Sequence, residues 1–322
     1  MKAIRVHEHG GPEVLRLEET ADPVAGPGEV LVRMEAVGLN FIDVYQRRGQ
    51  YPMQLPFTPG SEGAGTVVAV GEGVTDLKVG DRVASETLKG TYAELAKGRA
   101  DRLVRLPESV DAHLGAAIML QGITAHYLAT STYPIQRGDR VLIHAISGGV
   151  GLLLCQIAKR RGAWVVGTTS SAEKAQYARD VGADEVILYT EQDFVAEVKR
   201  LTDGQGVQVA YDSVGRTTFD GSLDCLAPRG LMTLFGESSG PVPPFDPRIL
   251  NRKGSLYLTR PTIAHYIASR EELSKRATEL LGWVADGWLT VHIDRVLPLA
   301  KAAAAHRALE SRKTMGKVLL VV

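Results

Sequence analysis

Apolar and polar residues alternate through Glu29-Val30-Leu31-Val32-Arg33-Met34-Glu35-Ala36-Val37, the two-residue period of a strand with one buried face. Residues 65–71 form a fuller apolar run, and 80–84 and 92–96 are strand-like at short spacing. Residues 1–6 read as another short strand. Gly and Pro punctuate all of these, which predicts a small β-barrel-like domain. The pattern changes near Leu114. Residues 116–129 are rich in helix formers, and strands and helices then take turns. Strands are predicted at 140–144, 163–168, 185–189, 207–211, 230–236 and 255–259. Helices are predicted at 150–161, 172–180, 193–201 and 217–226. Such alternation, with apolar strands, means a parallel sheet covered on both faces.

Beyond Pro261 the pattern gives a helix at 270–286, a strand-like run at 291–298, a helix at 300–311 and an apolar strand at 317–322. This tail has no place in a completed six-strand sheet, so it is expected to rejoin the first domain. A chain of 322 residues suits two domains. The expected division is 1–124 with 262–322, and 125–261.

Charge narrows the function. Lys plus Arg and Asp plus Glu both number 37, and no basic stripe stands out, which argues against nucleic acid as a partner. No segment approaches the ~20 apolar residues of a membrane span. The N-terminus lacks the apolar run of a signal peptide, so the cytoplasm is the expected address. The two cysteines, Cys155 and Cys225, lie among apolar residues of expected helices and read as buried, reduced thiols. Two lone cysteines so far apart cannot build a zinc cluster.

The chemistry-bearing turn is His144-Ala145-Ile146-Ser147-Gly148-Gly149-Val150-Gly151, which follows a strand and opens a helix. Gly148 and Gly151 stand as the last two glycines of a G-x-G-x-x-G loop would; Ile146 occupies the first place. Missing Cβ atoms let the backbone approach a pyrophosphate, and the N–H groups of a new helix favour its charge. An NAD site usually carries Asp or Glu about 20 residues on. Here the tip of the second strand reads Gly167-Thr168-Thr169-Ser170-Ser171-Ala172-Glu173-Lys174. Hydroxyls can donate to a 2′-phosphate where a carboxylate would repel it, and Lys174 can supply counter-charge. NADPH is therefore the expected cofactor.

With these residues the chain resembles the zinc-free medium-chain dehydrogenases/reductases, and within them the quinone oxidoreductases that include the zeta-crystallins. The motifs are Gly38-Leu39-Asn40-Phe41-Ile42-Asp43-Val44-Tyr45, Pro59-Gly60-Ser61-Glu62-Gly63-Ala64-Gly65, Gln121-Gly122-Ile123-Thr124-Ala125, Ala145-x-x-Gly148-x-x-Gly151 and Tyr211-Asp212-Ser213-Val214-Gly215. The resemblance implies an α/β protein: a Rossmann-type doubly wound parallel sheet beside a GroES-like, barrel-like catalytic domain made from both chain ends. Zinc relatives place a Cys near Asn40 and a His where Ser61 stands. This chain has neither, and no metal is expected.

The resemblance also assigns contacts. Asn40, Phe41, Ile42, Asp43, Thr124 and Tyr127 are expected near the nicotinamide half. Gly148, Gly149, Val150 and Gly151 would meet the pyrophosphate. Ser170, Lys174 and Tyr189 would surround the 2′-phosphate, and Ser213 the adenine-side ribose. Phe235, Gly236, Ser238, Pro261, Thr262 and Ile263 would hold the nicotinamide side, with Arg312 a further contact. Asn40, Tyr45 and Tyr51 are the candidates for orienting an acceptor; packing is the other reading of both tyrosines. His126 and His144 read as packing or surface residues. The expected activity is NADPH:quinone reduction, as hydride or electron transfer without a metal. Reduction of an enone, alkenal or enoyl thioester is one alternative, and a non-catalytic nucleotide-binding structural protein is another. A homodimer through the edge strand at 255–259 is expected.

Overall fold

In the computed structural model, which describes Met1–Val322, the chain divides into two units: Met1–Ile123 with Ile267–Val322, and Thr124–Tyr266. The first begins with β1 (Lys2–Arg5) and β2 (Arg16–Glu19), an antiparallel pair. There follow β3 (Glu29–Gly38), α1 (Phe41–Arg47), β4 (Gly63–Val70), β5 (Arg82–Ser85), β6 (Leu95–Arg99) and β7 (Val104–Arg105). Along β3 the alternation is realised: Val30, Val32, Met34 and Ala36 are buried, while Arg33 and Glu35 are exposed. The division between units falls within α2 (Ala112–Tyr127).

The second unit runs β8 (Arg140–Ile143), α3 (Gly149–Arg160), β9 (Trp164–Thr169), α4 (Ala172–Asp180), β10 (Glu185–Leu188), α5 (Phe194–Leu201), β11 (Val207–Asp212), α6 (Phe219–Asp224), β12 (Leu226–Leu234), α7 (Arg248–Arg252), β13 (Tyr257–Thr259) and α8 (Ile263–Tyr266). Its six strands are all parallel, in the order β10-β9-β8-β11-β12-β13. Both faces are covered, so β9 is buried along nearly its whole length. The order reverses between β8 and β11, and ligands of such sheets sit outside the carboxyl ends of the strands at that reversal.

The chain then returns to the first unit through α9 (Arg270–Ala285), β14 (Ile293–Pro298), α10 (Ala302–Glu310) and β15 (Lys317–Val321). β15 pairs antiparallel with the end of β3, Leu320 opposite Val37, and parallel with β14. The resulting seven-stranded sheet has the order β14-β15-β3-β4-β5-β7, with β6 on β3. Its core gathers Val30, Val32, Val37, Val67, Val83, Leu103, Val318 and Leu320 from both ends of the chain. No helix is long and apolar enough to cross a membrane.

Some elements differ from the sequence expectation. The strand expected at 92–96 begins three residues later, as β6. Tyr92 turns away from that ladder: its N–H donates to Pro59 O and its carbonyl accepts from Ile4 N. The helix expected at 217–226 is shorter, and Cys225 lies just past α6 rather than inside it. β13 starts at Tyr257 because Ser255 takes a left-handed φ of 56°. Helix α1 carries no sequence signal strong enough to foresee, being seven residues rich in aromatic and β-branched side chains.

Candidate functional site

In the second unit, the turn after β8 is built on backbone that only small residues tolerate. Ala145 sits at φ 50°, a left-handed conformation uncommon outside glycine. Gly148 N donates to Ala145 O at 2.8 Å, and α3 begins at the next residue. A Cβ on Gly151 would lie 2.5 Å from Ala145 O and 2.6 Å from Ile146 O, both backbone atoms. The glycine therefore permits the helix to start directly against the turn. The unpaired N–H groups of its first residues face out at the carboxyl edge of the sheet. That cradle fits a phosphate.

The tip of β9 adjoins this turn. Ser147 Oγ and Thr169 Oγ1 are 2.8 Å apart, and Ile146 N donates to Thr168 O at 3.1 Å. Past the tip, Ser171 caps α4, its hydroxyl accepting from Lys174 N. Lys174 is only 9% exposed, so it is not a solvated surface lysine. Tyr189 follows β10, its N–H donating to Thr169 O, and keeps its ring exposed. Ser170, Lys174 and Tyr189 thus come together around one strand tip, which carries hydroxyls and no carboxylate.

On the other side of the reversal, the end of β11 makes a tight turn. Asp212 Oδ1 accepts from Val214 N and Gly215 N at 2.7 and 2.9 Å. Ser238 N donates to Ser213 O, and a Cβ on Gly236 would meet that oxygen at 2.7 Å. Phe235, Gly236 and Ser238 therefore lie beside Ser213. Pro261, Thr262 and Ile263 follow β13 at the same edge. Thr124 and Tyr127 lie on α2; the Tyr127 ring stacks on Tyr266 at 4.1 Å and 7°.

In the first unit, Asn40 opens α1, and its N–H donates to Asp43 Oδ2 at 2.9 Å. Its side-chain amide donates to Glu62 Oε2 at 2.7 Å and to Gly38 O at 3.2 Å, while Oδ1 accepts from Lys317 Nζ at 2.8 Å. Lys317 and Glu62 form a wholly buried ion pair at 2.5 Å. Glu62 Oε1 also accepts from Leu120 N. Both amide hydrogens of Asn40 are thus committed inside the protein. Phe41 and Ile42 are half-buried beside it. Tyr45 and Tyr51 meet edge to face at 5.4 Å, with Tyr51 partly exposed. Arg312 lies on an exposed turn two residues past Glu310.

A second buried cluster backs α1. Tyr92 OH donates to Asp43 Oδ2 at 3.2 Å, and His306 links Tyr92 to Arg47 through contacts of 3.0 Å on each ring nitrogen. Arg47 only donates, so His306 Nδ1 accepts and its Nε2–H points to Tyr92. Burial, then the Arg47 charge, pushes His306 down to about 3, so the ring is neutral. Burial pushes Asp43 up to about 7. Glu86, with both carboxylate oxygens buried and unpartnered, is also raised by burial to about 7.

Sequence reasoning missed that Lys317 and Glu62 join Asn40 across the length of the chain, which no local spacing signals. It read the Thr168–Thr169 hydroxyls but not that Ser147 ties the glycine turn to them. His126 and His144, expected as packing or surface residues, are buried packing residues, 3% and 1% exposed. Cys155 and Cys225 are buried and free, with burial lifting each thiol to about 12. No group of three or more His, Cys, Asp or Glu side chains could hold a metal ion.

A doubly wound parallel sheet with this glycine turn, spliced into a barrel-like unit made from both chain ends, is the architecture of the medium-chain dehydrogenases and reductases. Residues 26–133 match the alcohol dehydrogenase GroES-like domain and residues 149–285 match the zinc-binding dehydrogenase family. A quinone oxidoreductase of Pseudomonas aeruginosa is 48% identical over 99% of both chains, and quinone oxidoreductase 1 of Escherichia coli is 45% identical over 99% of this chain and 98% of its own. Among solved structures, a mycobacterial protein complexed with NADPH superposes with a TM-score of 0.98 at 50% identity, each chain fully covered. The Escherichia coli quinone oxidoreductase complexed with NADPH gives 0.98 at 45% identity, again over both whole chains. The chain belongs to the quinone oxidoreductase family.

Proposed function

We propose that this protein is a zinc-independent, NADPH-dependent quinone reductase. The observation that carries this reading is the glycine turn 145–151 joined to a strand tip of hydroxyls with Lys174 beside it. Gly148 to Gly151 hold the pyrophosphate, and Ser170, Lys174 and Tyr189 hold the 2′-phosphate. Ser213 meets the adenine-side ribose, and Phe235, Gly236, Ser238, Pro261, Thr262 and Ile263 line the nicotinamide side. Thr124, Tyr127, Asn40, Phe41, Ile42, Asp43 and Arg312 complete the coenzyme contacts.

When bound, NADPH supplies the reducing hydride. The protein's part is to orient an electron-poor acceptor against the nicotinamide ring. Tyr45 and Tyr51 present an edge-to-face aromatic pair against which a flat acceptor can lie. Asn40 acts by fixing the start of α1, because its side-chain amide is committed to Glu62, Gly38 and Lys317 and its backbone to Asp43. A quinone takes its remaining proton from water, so no dedicated acid is required. The support from relatives lies in two NADPH complexes and in the quinone oxidoreductases at 45–48% identity.

Steady-state assays with NADPH and NADH against 1,4-benzoquinone and 9,10-phenanthrenequinone test this reading. Rapid NADPH oxidation by a quinone is expected; NADPH binding without turnover of either quinone overturns it. A second reading, reduction of an activated alkene, draws on a 2-haloacrylate reductase of a Burkholderia species that is 40% identical over 98% of this chain. Turnover of an alkenal or a 2-haloacrylate faster than of any quinone would favour it.

Two copies pair through the free edge of β13, where Tyr257 is 63% exposed at the end of the six-stranded sheet. The cytoplasm is the working address, consistent with two thiols that stay free.

A further inference from the structure

At the reversal of the parallel sheet a buried chain of side chains crosses from one half to the other. His144, the first residue past β8, lies 2.9 Å through Nδ1 from Thr168 Oγ1 on β9, and 3.0 Å through Nε2 from Ser222 Oγ on α6. Ser222 Oγ lies 2.9 Å from Asp212 Oδ2 at the end of β11. His144, Thr168, Ser222 and Asp212 are all 2% exposed or less.

The directions of these bonds follow from what each group can do. Asp212 Oδ1 already accepts two backbone N–H groups of the turn that carries Ser213. The single hydrogen of Ser222 is shared between Asp212 Oδ2 and Thr218 O, at 2.9 and 2.8 Å; both atoms only accept, so Ser222 Oγ accepts from His144 Nε2–H. His144 Nδ1 is then left to accept the Thr168 hydroxyl. Burial lowers the basicity of His144, against the pull of Asp212, so the ring is neutral and held in one tautomer. The imidazole at the end of β8 bonds β9 directly and β11 through Ser222 of α6, at the edge where the glycine turn, the β9 tip and the Ser213 turn emerge.

We infer that His144 is a positioning residue for the coenzyme, holding the β9 tip, and with it the 2′-phosphate contacts, in register with the Ser213 turn without touching the ligand itself. This rests on the NADPH reading above. Its consequence is selective. Without His144 the glycine turn keeps its own ties, Ser147 to Thr169 and Ile146 N to Thr168 O, and Asp212 keeps its backbone donors. What is lost is the hold on the Thr168 side chain, two residues before Ser170. Binding of the 2′-phosphate should suffer while binding of the pyrophosphate is largely kept.

The experiment compares dissociation constants for NADPH and NADH, by nicotinamide fluorescence, in the wild type, His144→Phe, His144→Asn, Thr168→Val and the His144→Phe/Thr168→Val double variant. His144→Phe is expected to weaken NADPH about tenfold, the size of one buried hydrogen bond lost, and NADH by much less. Thr168→Val should do the same, and the double variant should be no worse than either, because both cut one chain. His144→Asn, which keeps a donor and an acceptor, should recover part of the discrimination. Folded variants with unchanged affinities, or with NADPH and NADH weakened equally, overturn the inference. Wild-type protein that binds neither coenzyme would instead sink the underlying NADPH reading.

Discussion

Single residues carry most of what is unusual here. A methyl group at Gly151 would lie 2.5 Å from a backbone oxygen that cannot move without rebuilding the turn. Gly151→Ala is expected to lose NADPH binding altogether and to destabilise the fold by about 1–3 kcal/mol, the range for overpacking; calorimetric titration and urea melts check both. Glu86 makes the second prediction. Its carboxyl is raised from 4.5 to about 7 by burial. The folded state therefore binds more protons than the unfolded one across that window. The stability tied to Glu86 is complete below pH 4.5 and is lost as pH rises through 7. Glu86→Gln should flatten the fall of stability between pH 4.5 and 7 by up to about 3 kcal/mol, read by denaturant melts across pH. Asp43 and His306 titrate in opposite senses behind α1, which is why a single variant is needed to isolate one group. Local patterning exposed the glycines and the hydroxyl tip. It could not expose Lys317 beside Glu62, because 255 residues separate them.

At the scale of elements, buried charge does the joining. Arg47 is fully buried at the end of α1 and pairs with Glu310 on α10 at 2.7 Å. Glu310 also pairs with the exposed Arg48, so Arg47→Met should cost about 1–3 kcal/mol in urea unfolding, mainly from leaving the buried acceptors Gly10 O and His306 Nδ1 unpaired. β15 is tied in the same manner by Lys317. Lys317→Met alone should be strongly destabilising, whereas Lys317→Met with Glu62→Gln should recover much of the loss, a coupling that a double-mutant cycle reads directly. The strands and helices of the parallel sheet were legible because their periods differ and their turns are short; α4 spans the expected 172–180. Helix α1 was not, since it is held by Asp43 at its start and Arg47 at its end rather than by helix-forming composition. The shifted β6 shows the same limit: Tyr92 to Ala96 has the right alternation, but its first residues bond to β1 and to Pro59.

For the whole molecule, the tail was the informative stretch. An apolar strand left over after a completed parallel sheet had to find another partner, and it found β3. The proposed pairing through β13 makes a further prediction. Tyr257→Lys places a charge on the exposed end of that edge and should shift a dimer to monomer in light scattering at micromolar concentration, with the fold retained.

The return of β15 to β3 also orders events in time. During synthesis, 124–266 has every strand of its sheet in hand well before the last residues emerge, so it can fold while the ribosome is still working. The other unit must wait: its central strand lacks a neighbour until residue 321 is free, leaving an open flank on a nascent chain. Limited proteolysis of ribosome-bound chains stalled before residue 317 should accordingly find 140–259 protected and 29–38 open, and the N-terminal portion is where a chaperone would be needed first.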